Sequence, residues 1–183
     1  MVLTEPTLLL YRNMNRPETN EFASYYDTYI STVDGNSVVS VLENQTGDLR
    51  SIFGEMPEEK GTFAYAEGKW TLKEALSHLI DGERIFAYRI LRISRGDKTP
   101  VEGFEQDDYI ATSNANNRSF ADLLNEFDLQ RQSNLSLVNN ISDDASQFMG
   151  TASNRPISVR ALTYIMAGHV THHLAVLRER YLV

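Results

Sequence analysis

The chain has 183 residues, 42% hydrophobic and 10% aromatic, enough for one domain with a full-sized core. Its net charge of −8 argues against a nucleic-acid surface, because neutralising phosphates requires a Lys/Arg footprint. With no cysteine, disulfides, thiolate metal ligands and a protein thiol nucleophile are excluded.

The opening stretch MVLTEPTLLLYRNMNRPETN lacks a basic n-region and has too short an apolar run for a signal peptide. No later stretch approaches the roughly 18 apolar residues of a membrane span. A cytoplasmic protein without a membrane partner is expected. Residues 1–35 read as an N-terminal extension, with a short aromatic helix around Phe22–Ile30, ahead of a single domain spanning 1–183.

Four long helical patterns follow, and no convincing strands. The first runs from about Asn36 to Phe53, with Val38, Leu42, Gln45, Leu49 and Ile52 on one track and Met56-Pro57 as a stop. The second starts after Trp70, where Thr71 and Glu74 have the spacing of a capping box, each side chain satisfying an orphan backbone N–H. It ends near Arg95, before the helix-terminating Gly96. Its seam is Leu72, Leu76, Leu79, Phe86, Ile90 and Ile93, with Glu83 in the one gap. The third starts at the N-cap Ser119 and runs to about Asn140, with Phe120, Leu124, Phe127, Arg131, Asn134 and Val138 facing inward. The fourth covers Ser158 to about Tyr181, with Leu162, Met166, His169, His173 and Val176 on its track.

The segment Gly96–Arg118 is longer than an ordinary connection. Its apolar Val101, Phe104, Tyr109 and Ile110 predict that it packs on the bundle as a crossover covering one end. The expected fold is therefore all-α, a four-helix bundle with a long crossover between its second and third helices.

The four histidines are His78, His169, His172 and His173. Residues four apart on a helix differ by about 40° around the axis and one turn along it, so His169 and His173 can reach one ion. Both fall at the centre of the fourth helix's apolar stripe, whereas His172 lies roughly 80° off it. Imidazoles at seam positions are costly to bury unless their nitrogens are satisfied, and a metal satisfies several at once. His78 lies at the margin of the second helix's stripe, with Gly82 one turn on leaving room beside it. The competing reading is a set of hydrogen-bonded histidines at helix edges or an interface. His172 either replaces His173 as a ligand, since residues three apart also share a face, or is a neighbour of the site or a surface group.

Arg131 and Asn134 are unusual on a seam. Arg131 either sits at a wet end of the bundle paired with a carboxylate such as Glu83, or faces the histidine cavity to recognise an anion. In the acid-rich stretch Glu102–Asp108, the carboxylates Asp107 and Asp108 are either solvated or bend over the site as a base. Trp70 reads as a core anchor. Phe22, Tyr25, Tyr26, Tyr29 and Tyr88 lie outside the seam and leave apolar area for a partner.

The segment EGKWTLKEALSHLIDGERIFAYRILRISRGDKTPVEGFEQDDY and the C-terminal AGHVTHHLAVLRERY resemble the DinB superfamily of DinB/YfiT-like metalloenzymes, from about Val38 onward. The resemblance implies a homodimeric four-helix bundle holding a divalent metal ion, nickel or zinc, on His78, His169 and His173. It further implies either a metal-dependent hydrolase or an S-transferase acting with a low-molecular-weight thiol such as bacillithiol or mycothiol, on a small-molecule substrate. Three neutral ligands would leave the ion its full charge, to lower the pKa of a water or thiol, and the absence of cysteine suits sulfur from outside. Asp81, Glu74 and Asp108 are the carboxylates placed to close the site, and Arg131, Asp108 and Asp81 the candidates for a catalytic role. A dimeric, stress-related protein that binds metal or a small ligand without turnover is the alternative.

Overall fold

The structure, a computed structural model, describes residues 14–34 and 37–182. Four long helices form the expected bundle: α2 (Val38–Phe53), α3 (Leu72–Ser94), α5 (Phe120–Asn139) and α7 (Val159–Val176). α3 packs on α5 and α7, and α2 on the same two helices. No helix among the described residues is long and apolar enough to cross a membrane.

Helix ends follow local chemistry. Thr71 accepts from the Glu74 N–H while the Glu74 carboxylate accepts from the Thr71 N–H, completing the capping box of α3. Gly96, at φ 79°, turns the chain out of that helix. Ser119 and Ser158 cap α5 and α7 by accepting the amides of Asp122 and Ala161. Ser37 caps α2, whose expected start at Asn36 lies outside the described residues. Its inward track ends on buried Phe53, while Ile52 is half-buried.

The chain does contain strands, against expectation. β1 (Met149–Ala152) and β2 (Arg155–Ser158) form an antiparallel hairpin between the four-residue α6 (Asp143–Ser146) and α7. Ser153 and Asn154 make its two-residue turn, both with positive φ, as the twist of a tight hairpin requires. Gly150 and Pro156 inside such short strands obscured the alternation that would have signalled them. The hairpin anchors the crossover: Val101 donates to the Thr151 carbonyl and accepts from the Ser153 amide. Within Gly96–Arg118 the chain forms a short helix, α4 (Gln106–Thr112), and a 3₁₀ turn over Ala115–Asn117. Ile110 is buried and Val101 and Phe104 are half-buried, but Tyr109 faces solvent rather than the bundle.

The N-terminal segment is part of the core. A 3₁₀ turn (Ser24–Tyr26) leads into α1 (Asp27–Ile30), which packs on α7. Phe22 and Tyr26, expected as partner-facing aromatics, are buried with Ile30 and Val33 because this segment covers α7. Tyr25 and Tyr88 do remain exposed. The close approach depends on Gly168: a Cβ there would lie 2.1 Å from the Tyr29 carbonyl oxygen. Gly168→Ala is expected to push α1 off α7 and to cost about 1–3 kcal/mol in a urea unfolding titration.

The core divides into two apolar clusters with a polar layer between them. Arg131, 1% exposed, makes a two-pronged pair with Glu83 at 2.9 and 2.7 Å. Its Nη1 donates to the Leu42 carbonyl and to Gln45 Oε1, and Asn134 donates to Glu83 Oε2. Gln45 in turn donates to the Ala167 carbonyl and Thr171 Oγ1 on α7. The pairing with Glu83 is as expected, but it lies in mid-core and not at a wet end.

A candidate metal centre on two facing helices

His78 on α3 and His169 and His173 on α7 come together, each offering a ring nitrogen within 4.8 Å of the others. Their ring centroids are 4.7–4.9 Å apart, and the Nε2 atoms of His78 and His169 are 2.9 Å apart. His78 and His169 are buried and His173 is half-buried. His78 lies deeper than its place at the stripe margin predicts, because α7 packs over that flank. Gly82 makes room for His169: a Cβ there would stand 3.0 Å from its Cε1.

Aromatic rings hold the cluster. Phe86 meets the His169 ring edge-on at 5.5 Å. Tyr29 lies edge-on to both His169 and His172. Trp70 is not a core anchor. Its ring lies 4.6 Å from that of His78, and its Nε1 donates to Asp107 on α4. Trp70 is thus the site neighbour that sequence reasoning misplaced, whereas Asp107 takes the second of its two readings and lies over the site. Their contact joins the segment before α3 to the crossover, a relation that helical periodicity does not carry.

The other candidates are engaged elsewhere or lie apart. Arg131 is committed to Glu83. Asp81 pairs with Arg84 at 3.9 Å, and its burial raises its pKa. Glu74 serves the capping box and accepts from Asn116. Asp108 is exposed. His172 stands beside the cluster but outside it. Among the described residues no carboxylate joins the three imidazoles.

Two cavities open onto the cluster. One, of about 360 Å³, is walled by Tyr65, Trp70, Tyr181 and His173. The other, of about 320 Å³, is walled by Tyr29, His78, Phe86, Arg89 and His169. Gln106 and Asp107, at the start of α4, line both.

Burial lowers the imidazole pKa values, to about 4 for His78 and about 3 for His173, where the neighbouring imidazoles add to it. His169 is pushed well below the ordinary value for the same reasons, burial foremost. The cluster is therefore neutral at neutral pH, with lone pairs available to a cation. An unfolded histidine titrates near 6.5, so between that value and the folded ones the unfolded chain binds more protons. Acid therefore favours unfolding. Metal-free protein is expected to lose about 2 kcal/mol for each of His78 and His173 between about pH 7 and about pH 5, measured by urea titration at each pH.

A four-helix bundle carrying three converging imidazoles from two facing helices defines a class of protein. The family model of the DinB superfamily matches residues 42–177, and the chain belongs to that superfamily. YfiT from Bacillus subtilis, described as a probable metal-dependent hydrolase with an unusual four-helix bundle topology, superposes with a TM-score of 0.72 at 16% identity, covering 92% of this chain and 93% of that one. A mycothiol-dependent maleylpyruvate isomerase superposes with a TM-score of 0.65 at 14% identity, over 80% of this chain and 61% of its own length. At these identities the likeness is one of fold. No curated protein matches the sequence.

Proposed function

We propose that His78, His169 and His173 hold a divalent metal ion, zinc or nickel, and that the protein is an enzyme of hydrolase or thiol S-transferase type. The observation that carries this reading is a cluster of three neutral imidazoles, two buried and one half-buried, with no carboxylate among the described residues to close it and cavities on two sides. The donor set fits such an ion: neutral nitrogens from a rigid helix pair, with coordination positions left open. When bound, the ion would supply Lewis acidity and lower the pKa of a water or thiol. The protein's own part is to keep the imidazoles unprotonated by burial and to orient them through Gly82, Phe86 and Tyr29. Two cavities sharing one cluster suit two reactants, as thiol transfer requires. The mycothiol-dependent neighbour supports the same reading. A homodimer would have Tyr25 and Tyr88 available for its contact.

The test is elemental analysis of untagged protein, followed by activity assays of the metal-loaded form on activated esters and on electrophiles with and without added thiols. Stoichiometric metal with metal-dependent turnover supports the proposal, and thiol dependence selects the transferase. Metal without any turnover selects a binding protein, and the absence of metal binding overturns the reading.

A further inference from the structure

Arg89 continues the stripe of α3 that carries His78, Gly82 and Phe86, and it is 2% exposed. Arg131 and Arg160 are matched by the carboxylates of Glu83 and Glu21. Arg89 has no such partner among the described residues. Its Nη2 donates to two neutral acceptors, the Glu102 carbonyl and the Ser153 hydroxyl, each at 3.0 Å. Its Nε is buried without an acceptor among the described residues. The phenols of Tyr25 and Tyr26 also lie near the guanidinium, that of Tyr26 within hydrogen-bonding reach. Buried guanidinium groups stay charged, and leaving one without a counter-charge is unfavourable unless an anion arrives to match it.

Arg89 lines two cavities, one of about 450 Å³ shared with Arg84 and Arg92 and one of about 320 Å³ that also contains His78 and His169, and only in the second would an anion on Arg89 also face the histidines. Arg89 follows His78 by eleven residues, about 16 Å along the helix axis. Side chains on a helix lean toward its N-terminus, so the Arg89 side chain leans toward His78. Between the two ends the walls include Tyr29, Phe86 and Phe104, which suit a flat, apolar body. Glu105 and Asp107 line the same cavity and disfavour a ligand of higher negative charge.

We propose that this cavity binds a small organic monocarboxylate with a flat body, its carboxylate on the Arg89 guanidinium and its other end directed at His78 and His169. The substrate class deepens the metal-dependent reading and rests on it for the reactive end. The grip on the anion does not need the metal.

Benzoate and its neutral analogue benzamide test this by calorimetric titration of metal-free and zinc-loaded protein. Metal-free protein is expected to bind benzoate, with benzamide and inorganic phosphate weaker. Arg89→Gln is expected to weaken benzoate at least about tenfold, the loss of a charge-assisted hydrogen bond, and to leave benzamide unchanged. Equal benzoate affinity in the variant, or binding only when zinc is loaded, would overturn the proposal. Since Arg89 also ties Glu102 to Ser153, wild-type protein provides a reading that no folding defect can mimic. In ¹⁵N-arginine-labelled protein the Arg89 Nε–H resonance should move with benzoate and not with benzamide, and a resonance unmoved by benzoate counts against the site. Failure of the metal reading looks different: benzoate still binds, while elemental analysis finds no ion.

Discussion

His173→Ala is expected to abolish stoichiometric metal binding, while His172→Ala leaves it nearly intact. The two residues are adjacent in sequence, yet only His173 joins His78 and His169 in the cluster. His172 meets Tyr29 and the His173 ring from outside. Loss of an outer partner of a metal ligand typically costs roughly 10–100-fold in affinity, so removing one of three ligands should exceed about 100-fold. Zinc titration against a competing chelator reads both variants directly. Equal losses in the two would mean that the assignment by helical angle is wrong.

Arg131→Met is expected to be among the most destabilising single changes in the chain, at about 3–5 kcal/mol in urea unfolding. It leaves the Glu83 carboxylate, 1% exposed, without its cation in the middle of the core. It also removes the donor to the Leu42 carbonyl and to Gln45. Gln45 grips α7 at Ala167 and Thr171, on either side of His169, so part of the loss should appear as a looser histidine cluster. Changing Glu83→Leu together with Arg131→Met removes both charges and should recover much of the stability, since the pair contributes less than breaking it costs. A loss below about 1 kcal/mol in the single variant would contradict this account.

The four bundle helices and the histidine cluster were legible because both depend on a period of 3.6 residues. Leu72, Leu76 and Leu79 mark the core-facing stripe, and the same geometry puts His169 and His173 on one face and His172 off it. What escaped was non-periodic. The hairpin of Met149–Ala152 and Arg155–Ser158 is too short to show alternation, and its partner Val101 comes from a distant loop. Phe22 and Tyr26 read as surface aromatics because nothing local says that their segment folds back over α7 at Gly168.

Taken by itself, the sequence determined the helical class of the chain, the caps at Thr71 and Ser119, and that His169 and His173 share one helix face, since all of these follow from neighbours within one or two turns. Only the tertiary structure decided what the polar inward residues do. It turned Arg131 toward Glu83 in mid-core, set Trp70 against His78, and left Arg89 buried at a cavity wall without a counter-charge among the described residues. Local pattern can predict that a side chain faces inward. Which charge it meets there depends on the packing of helices far apart in the chain, because an ion pair forms between whichever groups the fold brings within a few ångströms.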